Sequence, residues 1–339
     1  MIDTGARVTI QSVIEEFVRE ELSQENAHIA TAVWSMLDAG GKRLRPRITM
    51  LAGRACAAAA PEDPVLAAYM ELIHVATLIH DDVLDNADVR RGVESTNHAF
   101  GNRFSVLAGD YLFSWVFKKV TQTYPNPVPT ILAGMLAEIC NGEVKQLRAV
   151  GSADLPVTSY LEIIGKKTAE LFAACAECGA IVALAHRGAV DGARARERAD
   201  VRAARSYGWS FGMAFQIRDD LLDVVATEEA IGKPAGSDLR EKKVTLPLIY
   251  ALQSGGPAVR AAVEALFDAD GGIDDLAAVI DAVRNGPAPQ MTIAAIAQHA
   301  AAAEAALEGL SASDAREELV ALARSLTEFS SVQLQARPT

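Results

Sequence analysis

An all-α fold, a single large domain of helices, is what this sequence predicts, and three observations predict it. Alanine is abundant and aromatic residues make up only 6% of the chain, a balance that favours helix over strand. Strict alternation of β-branched and polar residues is hard to find, whereas apolar residues recur at helical spacing. The breakers fall in short clusters, Pro61–Pro64, Pro125–Pro129, Gly151–Pro156, Gly255–Pro257, Gly271–Gly272 and Gly286–Pro289. These are turns between helices, not linkers between domains. One domain over residues 1–339 follows, with no internal repeat.

The elements are expected in this order. Helices cover Val8–Ser23 and Arg47–Ala60. The next, Pro64–Asp88, has Asp63 as its cap and Pro64 at its first position, where a missing N–H costs nothing. Leu66, Met70, Ile73, Val75, Leu78, Ile79 and Leu84 leave few polar sides on it, so it is a central, buried helix. Ser105–Thr121 and Pro129–Ala149 follow. Ser159–Glu162 fits a capping box that opens a helix running to about His186, and Gly165 near its start marks a weak point or a close backbone approach. Asp191–Val225 begins charged and becomes apolar, as a helix does that enters a core from the surface. Thr245–Gln253, Ile273–Arg284, Gln290–Gly309 and Asp314–Leu334 complete the set.

Composition narrows the function. With 50% apolar and 22% charged residues the chain has ample material for a core, which excludes disorder and a disulfide scaffold. A net charge of −12 makes nucleic acid and anionic membrane surfaces poor partners, so an anionic ligand needs local basic clusters or metal ions. Cys175 and Cys178 are spaced C-x-x-C but lie in the apolar run Leu171–Ala185, where buried free thiols are the better reading. That run is too short for a membrane span and carries Glu177. The start, MIDTGARVTIQ, lacks the pattern of a signal peptide, so a cytoplasmic protein is expected.

Two aspartate clusters carry the chemistry. Asp81-Asp82-Val83-Leu84-Asp85 reads DDxxD, and Asp219-Asp220-Leu221-Leu222-Asp223 reads DDxxD again. On a helix, positions i and i+4 lie about 40° apart, so Asp81 shares a face with Asp85 and Asp219 with Asp223. Like charges at that spacing repel, and ionised carboxylates within apolar helices are costly unless paired or metal-bound. A hard divalent cation removes both costs, and Mg²⁺ typically takes one or two carboxylates plus phosphate oxygens. Two such helices facing one another predict a Mg²⁺–diphosphate clamp. Basic groups stand near both clusters in sequence: Lys42, Arg43 and Arg45 in a glycine-led turn, Arg90-Arg91, Lys166-Lys167, Lys233 and Lys242-Lys243. Each alone is an ordinary surface charge, but together they supply phosphate-binding charge in a net-acidic chain. Arg218 is in reach of Asp220 or Asp223 and is given no catalytic role.

At these residues the sequence resembles the trans-prenyl diphosphate synthases, the polyprenyl synthetase family. The matching blocks are GGKRLRP (Gly40–Pro46), ELIHVATLIHDDVLDNADVRRG (Glu71–Gly92), AGDYLF (Ala108–Phe113), GEVKQL (Gly142–Leu147), KKTAELF (Lys166–Phe172), FGMAFQIRDDLLD (Phe211–Asp223) and GKPAGSDLREKKVTLPLI (Gly232–Ile249). They run in family order over residues 40–250, and the C-terminal third carries no motif of use. The resemblance implies an all-α isoprenoid synthase fold around a deep central cavity, usually as a homodimer. It implies that an allylic diphosphate loses its diphosphate and that isopentenyl diphosphate attacks the resulting cation, giving a trans product five carbons longer. It also implies Mg²⁺, three ions per site. By motif, Asp81, Asp85 and Asp219 resemble metal ligands, with Asp82, Asp220 and Asp223 supporting them directly or through water. Lys42, Arg45, His74 and Arg91 match positions that hold isopentenyl diphosphate, and His74 is singled out from ordinary core histidines only by its place seven residues before Asp81. Arg90, Lys167, Thr168, Gln216, Lys233 and Lys243 match positions that hold the allylic diphosphate.

Three other readings compete. A terpene cyclase is expected to carry a Ser- or Thr-containing metal motif in place of the second DDxxD, and a non-catalytic partner subunit is expected to lose its Asp clusters; neither description fits. A short-chain synthase making farnesyl or geranylgeranyl diphosphate differs in product length. In the family, bulky aromatics four and five residues before the first Asp resemble a floor that stops growth. Here those positions are Thr77 and Ala76, and the two-residue insertion of some short-chain bacterial relatives is missing. A product of about C30 to C50, of the kind used for quinone side chains, is therefore expected. It runs along Pro64–Asp88 toward Met70, about 16 Å from Asp81 along the axis. Its floor is built by Phe113, Trp115 or Phe117.

Overall fold

The computed structural model describes residues 9–22, 26–38, 41–90, 92–186, 188, 192–226, 235–268 and 272–329, and these are helical almost throughout. Contacts gather them into two compact units. The first takes Met1–Ala133, Cys175–Ala204 and Leu310–Arg316; the second takes Gly134–Ala174, Arg205–Gly309 and Glu317–Thr339.

In the first unit, helices α1 (Ile10–Leu22), α2 (Ala27–Asp38), α3 (Leu44–Cys56), α5 (Thr96–Phe100) and α6 (Asn102–Thr123) all contact α4 (Pro64–Leu84). The expected central helix is therefore central, with Leu66, Met70, Leu72, Ile73 and Ile79 fully buried. Asp63 caps it, accepting from the Leu66 N–H at 2.8 Å while also accepting from the Tyr124 hydroxyl at 2.8 Å. It ends at Leu84, not at Asp88. Asn86 adopts φ 48°, a left-handed conformation that a short polar side chain tolerates, and the chain turns into a hairpin pairing Val89 with Glu94 and Arg90 with Val93. Helix α3 begins at Leu44 rather than Arg47, because Pro46 fits inside a first turn whose N–H groups have no helical partners. The later half of α9 (Glu170–His186) touches α3 through backbone: a Cβ on Gly179 would sit 2.0 Å from the Thr49 carbonyl oxygen.

In the second unit, which takes in α7 (Val128–Ala149) from Gly134 onward, Leu246–Ser254 lies against α8 (Val157–Ile164) and against the helices Gly256–Phe267, Ile273–Asn285 and Ala288–Ala306. The capping box at Ser159–Glu162 does not form. The cap is Pro156, three residues before Ser159, and Glu162 instead pairs with Lys145 at 2.8 Å. Gly165 does both things expected of it. It opens a π-helical turn, Gly165–Ala169, and it sits so close to Trp209 that a Cβ would come within 2.9 Å of the indole. Phe172 meets Phe211 at 5.2 Å, and the Tyr207 hydroxyl donates to the Leu319 carbonyl at 2.8 Å.

Other boundaries shift for local reasons. Helix α11 is Ala199–Val225, preceded by the short helix α10 (Gly192–Ala195); Asp191, its expected start, lies outside the described residues. Gly255–Pro257 is expected to be only a turn, yet the helix Gly256–Phe267 starts there, with Pro257 in its first turn without cost. The helix expected to end at Leu334 ends at Ser325, and residue 334 lies outside the described residues. Cys175 and Cys178 are buried free thiols, as expected. The continuous run Val157–His186 is long and apolar enough to cross a membrane, but 89% of its most apolar stretch is buried inside the fold.

Candidate active site

The first cluster occupies the C-terminal end of α4. The Asp85 N–H donates to the Asp81 carbonyl at 2.8 Å, so the two aspartates stand one turn apart, both partly exposed. Three carboxylates at this end oppose the negative pole of the helix dipole, a position that favours a cation. Asp82 differs from its neighbours. It has no exposed surface, and Arg90 on the hairpin holds its Oδ1 at 2.6 Å, while its Oδ2 is buried without a hydrogen-bond partner. Burial pushes the Asp82 carboxyl above the usual carboxylate range, against the pull of Arg90. Arg90, expected to hold diphosphate, is thus engaged with Asp82.

The remaining residues of this unit lie along α3 and α4. Lys42 is exposed just before α3, and Arg45 is half-buried in its first turn. Arg45 lies near Cys175, whose thiol burial pushes up to about 12 while the guanidinium pulls the other way, so this is no reactive cysteine. His74 is half-buried two turns before Asp81, with its Nδ1 3.4 Å from the Thr77 hydroxyl. That hydroxyl donates to the His74 carbonyl at 2.8 Å, and Ala76 is fully buried. Trp115 stacks edge-on to Phe17 at 4.8 Å and to Tyr69 at 6.1 Å, beside Met70 on α4. Phe113 instead lies against His80, next to Asp81. Arg91 and Lys233 fall outside the described residues.

The second cluster lies near the end of α11. Asp219 is exposed, whereas Asp220 and Asp223 are buried. The Asp223 carboxylate accepts the Asp238 N–H at 3.0 Å and so ties down the turn that follows. Asp220 accepts from the Tyr160 hydroxyl at 2.6 Å and from the Gln216 amide at 2.7 Å. Burial raises its pKa, and these two donors work against the rise. Arg218 turns from both aspartates: it donates to the Glu328 carbonyl at 3.3 Å and lies over the Phe329 ring.

Beside Asp220 opens a cleft bounded by Tyr160, Lys167, Thr168, Gln216 and Lys243. The π-turn separates its two lysines, sending Lys166 to Glu138 and Lys167 to Glu143 at 2.6 Å. Thr168 donates to Gln216 at 2.8 Å, and Lys243 pairs with Glu241 at 2.5 Å. Lys242 is turned away to cap the carbonyls of Phe267 and Asp268 at 2.7 and 3.1 Å. Four residues expected to hold an allylic diphosphate thus line one cleft, although 76 residues of sequence separate Lys167 from Lys243. Sequence reasoning missed Tyr160 and Thr245, which also line it; the signal for Tyr160 was its place two helical turns before Lys167.

Among the described residues no three His, Cys, Asp or Glu side chains converge into a preformed metal cage. Mg²⁺ bound with a diphosphate needs only one or two carboxylates, whose oxygens are the hard donors it takes; Asp81 and Asp85 are partly exposed and Asp219 is exposed. The residues therefore fit Mg²⁺.

A family model described as polyprenyl synthetase matches residues 26–283. The chain is 36% identical over 306 residues to octaprenyl diphosphate synthase of Escherichia coli, covering 90% of this chain and 91% of that one. It is 36% identical over 305 residues to heptaprenyl diphosphate synthase component 2 of Geobacillus stearothermophilus, with coverage of 90% and 91%. A crystal structure of polyprenyl synthase from Caulobacter crescentus, complexed with calcium and isoprenyl diphosphate, superposes with a TM-score of 0.84. It is 36% identical over 94% of each chain.

Proposed function

Because the chain belongs to the polyprenyl synthetase family, we propose that it is a Mg²⁺-dependent trans-prenyltransferase. In this reading it condenses isopentenyl diphosphate with an allylic diphosphate to give a medium- to long-chain polyprenyl diphosphate, about C30 to C50. The observation that carries this reading is the cleft where Lys167, Thr168, Gln216 and Lys243 meet beside Asp220. The names of the octaprenyl and heptaprenyl relatives support the product range.

The chemistry needs no protein nucleophile. Lys167, Lys243 and the Thr168 hydroxyl hold and orient the allylic diphosphate. Lys42, Arg45 and His74 hold isopentenyl diphosphate so that its double bond faces the forming cation. Asp81, Asp85 and Asp219 would hold three Mg²⁺, which supply counter-charge to the departing diphosphate. Asp82 and Asp223 brace the clusters through Arg90 and the Asp238 N–H. We take the two units as parts of one catalytic domain of a cytoplasmic homodimer.

Incubation of the purified chain with Mg²⁺, farnesyl diphosphate and radiolabelled isopentenyl diphosphate tests activity, product length and self-sufficiency together. The last matters because one relative is named as a component. No labelled product from the chain alone, with activity restored by a second subunit, would correct the reading to half of a heteromeric enzyme. The two substrate sites separate by mutation. Arg45→Ala should mainly raise KM for isopentenyl diphosphate and Lys167→Ala mainly that for the allylic substrate, each by about tenfold or more. Equal effects on both substrates would overturn the assignment.

Val106 and Leu107 on α6 and Phe100 on α5 are exposed apolar residues, Leu107 by 63%, and they support a homodimer. Light scattering should report twice the 36.0 kDa chain mass, and Leu107→Glu should shift it toward one. A fully active monomeric wild type would reject the dimer.

A further inference from the structure

The cleft contains a hydrogen-bond chain that the substrate-binding roles do not explain. The Thr168 hydroxyl donates to Gln216 Oε1 at 2.8 Å, the Gln216 amide donates to Asp220 Oδ1 at 2.7 Å, and the Tyr160 hydroxyl donates to Asp220 Oδ2 at 2.6 Å. Thr168 and Gln216 both border the open cleft, but Asp220 is only 5% exposed. A carboxylate this deep needs both oxygens satisfied, or it swings to find partners. Gln216 satisfies one. If Tyr160 failed to satisfy the other, Asp220 would be free to rotate, and the Gln216 amide would rotate with it. The direction of the chain matters too. The Gln216 amide nitrogen faces Asp220 and donates to its Oδ1. The Gln216 oxygen accepts from the Thr168 hydroxyl, so the amide is held at both of its ends.

The backbone reinforces this arrangement. Tyr160 sits on α8, seven residues before Lys167, with the π-turn Gly165–Ala169 between them. The phenol is 3% exposed, and burial together with the neighbouring Asp220 carboxylate holds its pKa well above the usual value, so it remains a donor at neutral pH. Gln216 and Asp220 are one turn apart on α11, which makes their contact intrinsic to that helix. The Tyr160–Asp220 contact is therefore the link that joins α8 to α11 across the wall of the cleft.

We propose that Tyr160 is a positioning residue: its hydroxyl, acting through Asp220, fixes the Gln216 amide at the border of the cleft in the orientation that receives the allylic diphosphate. The inference rests on reading this cleft as the allylic-diphosphate site and adds the residue that holds it in shape.

Tyr160→Phe removes the hydroxyl and keeps the ring. It should raise KM for farnesyl diphosphate about tenfold, the size of one lost hydrogen bond to a charged partner, and leave KM for isopentenyl diphosphate unchanged. Calorimetric titration with inorganic pyrophosphate and Mg²⁺, which needs no turnover, should show the same tenfold loss. Thr168→Val should give a similar loss, and the double variant should be little worse than either single one, because both act on one chain. Placing 4-aminophenylalanine at 160 restores a donor and should return the allylic KM to near the wild-type value. It also answers the question if Tyr160→Phe does not fold. Equal changes in both KM values, strictly multiplicative losses in the double variant, or no rescue by the amine would overturn the proposal. A wild type without prenyl transfer would instead overturn the function on which it rests.

Discussion

Asp81→Ala is expected to lower kcat by about 10³-fold or more while leaving KM for isopentenyl diphosphate within a few-fold of wild type. The bond to the leaving diphosphate breaks heterolytically, so negative charge builds on oxygens that the protein must neutralise as it forms. Asp81 stands in the last turn of α4 with Asp85 one turn on, both partly open to solvent, at the helix pole where a carboxylate is least comfortable alone. Removing Asp81 removes a ligand of the Mg²⁺ that would supply counter-charge where charge develops, so the loss falls on kcat. Asp219→Ala should behave alike, because Asp219 is the one exposed member of the second cluster. EDTA should abolish turnover, and added Mg²⁺ should restore it. Asp82→Ala should differ in kind. It strands the Arg90 guanidinium against a buried site, so a lower melting temperature should accompany its loss of activity. Full turnover by Asp81→Ala would end the metal-clamp reading.

Replacing Ala76 and Thr77 together with Phe should cut the product from about C30–C50 to about C15–C20. Thr77 lies one turn and Ala76 five residues before Asp81, about 6 and 8 Å along the axis, so bulk there meets the chain after its first additions. In the wild type the aromatic group of Trp115, Tyr69 and Phe17 is the candidate floor, since Tyr69 lies about 18 Å from Asp81 along α4. Phe113 is a poorer candidate than the sequence implied, because it sits beside His80 at the aspartate end. Chain-length analysis of labelled products decides the matter. A wild type that stops at C15 or C20, or a double variant with unchanged products, would refute it. Ala76 is fully buried, so the Phe variant needs a check of its melting temperature.

The parts of the fold that were legible in sequence are those fixed by local rules. Asp63 and Pro64 started α4 where the capping rules put it, and a helix apolar on most of its sides proved to be the one the first unit is built around. Gly165 was marked as weak or closely approached and turned out to be both. The misses have the same local character in reverse. Helix α2 is missed although Asn26 precedes it and Gly40-Gly41 follow it in the sequence, and Pro257 reads equally as a turn or as a first helical turn. Ser159 and Glu162 have capping-box spacing, yet Pro156 begins the helix first and Lys145 claims the glutamate.

For the site, sequence alone determined which residue types are present and at what spacing: two DDxxD clusters, the basic pairs and the small residues at 76 and 77. Spacing along one helix sets which side chains share a face, and that was enough to place Asp81 with Asp85. Only the tertiary structure decided which lysine of each pair lines the cleft and which aspartates are buried. It turned Lys167 and Lys243 to the cleft, sent Lys166 to Glu138 and used Lys242 as a helix cap. It also buried Asp82 and Asp220 while leaving Asp81 and Asp219 at the surface. Adjacent residues of like charge are indistinguishable to a sequence reading. What separates them is burial and the partner each finds on another helix, and those are set by contacts between segments remote in the chain, such as Tyr160 with Asp220.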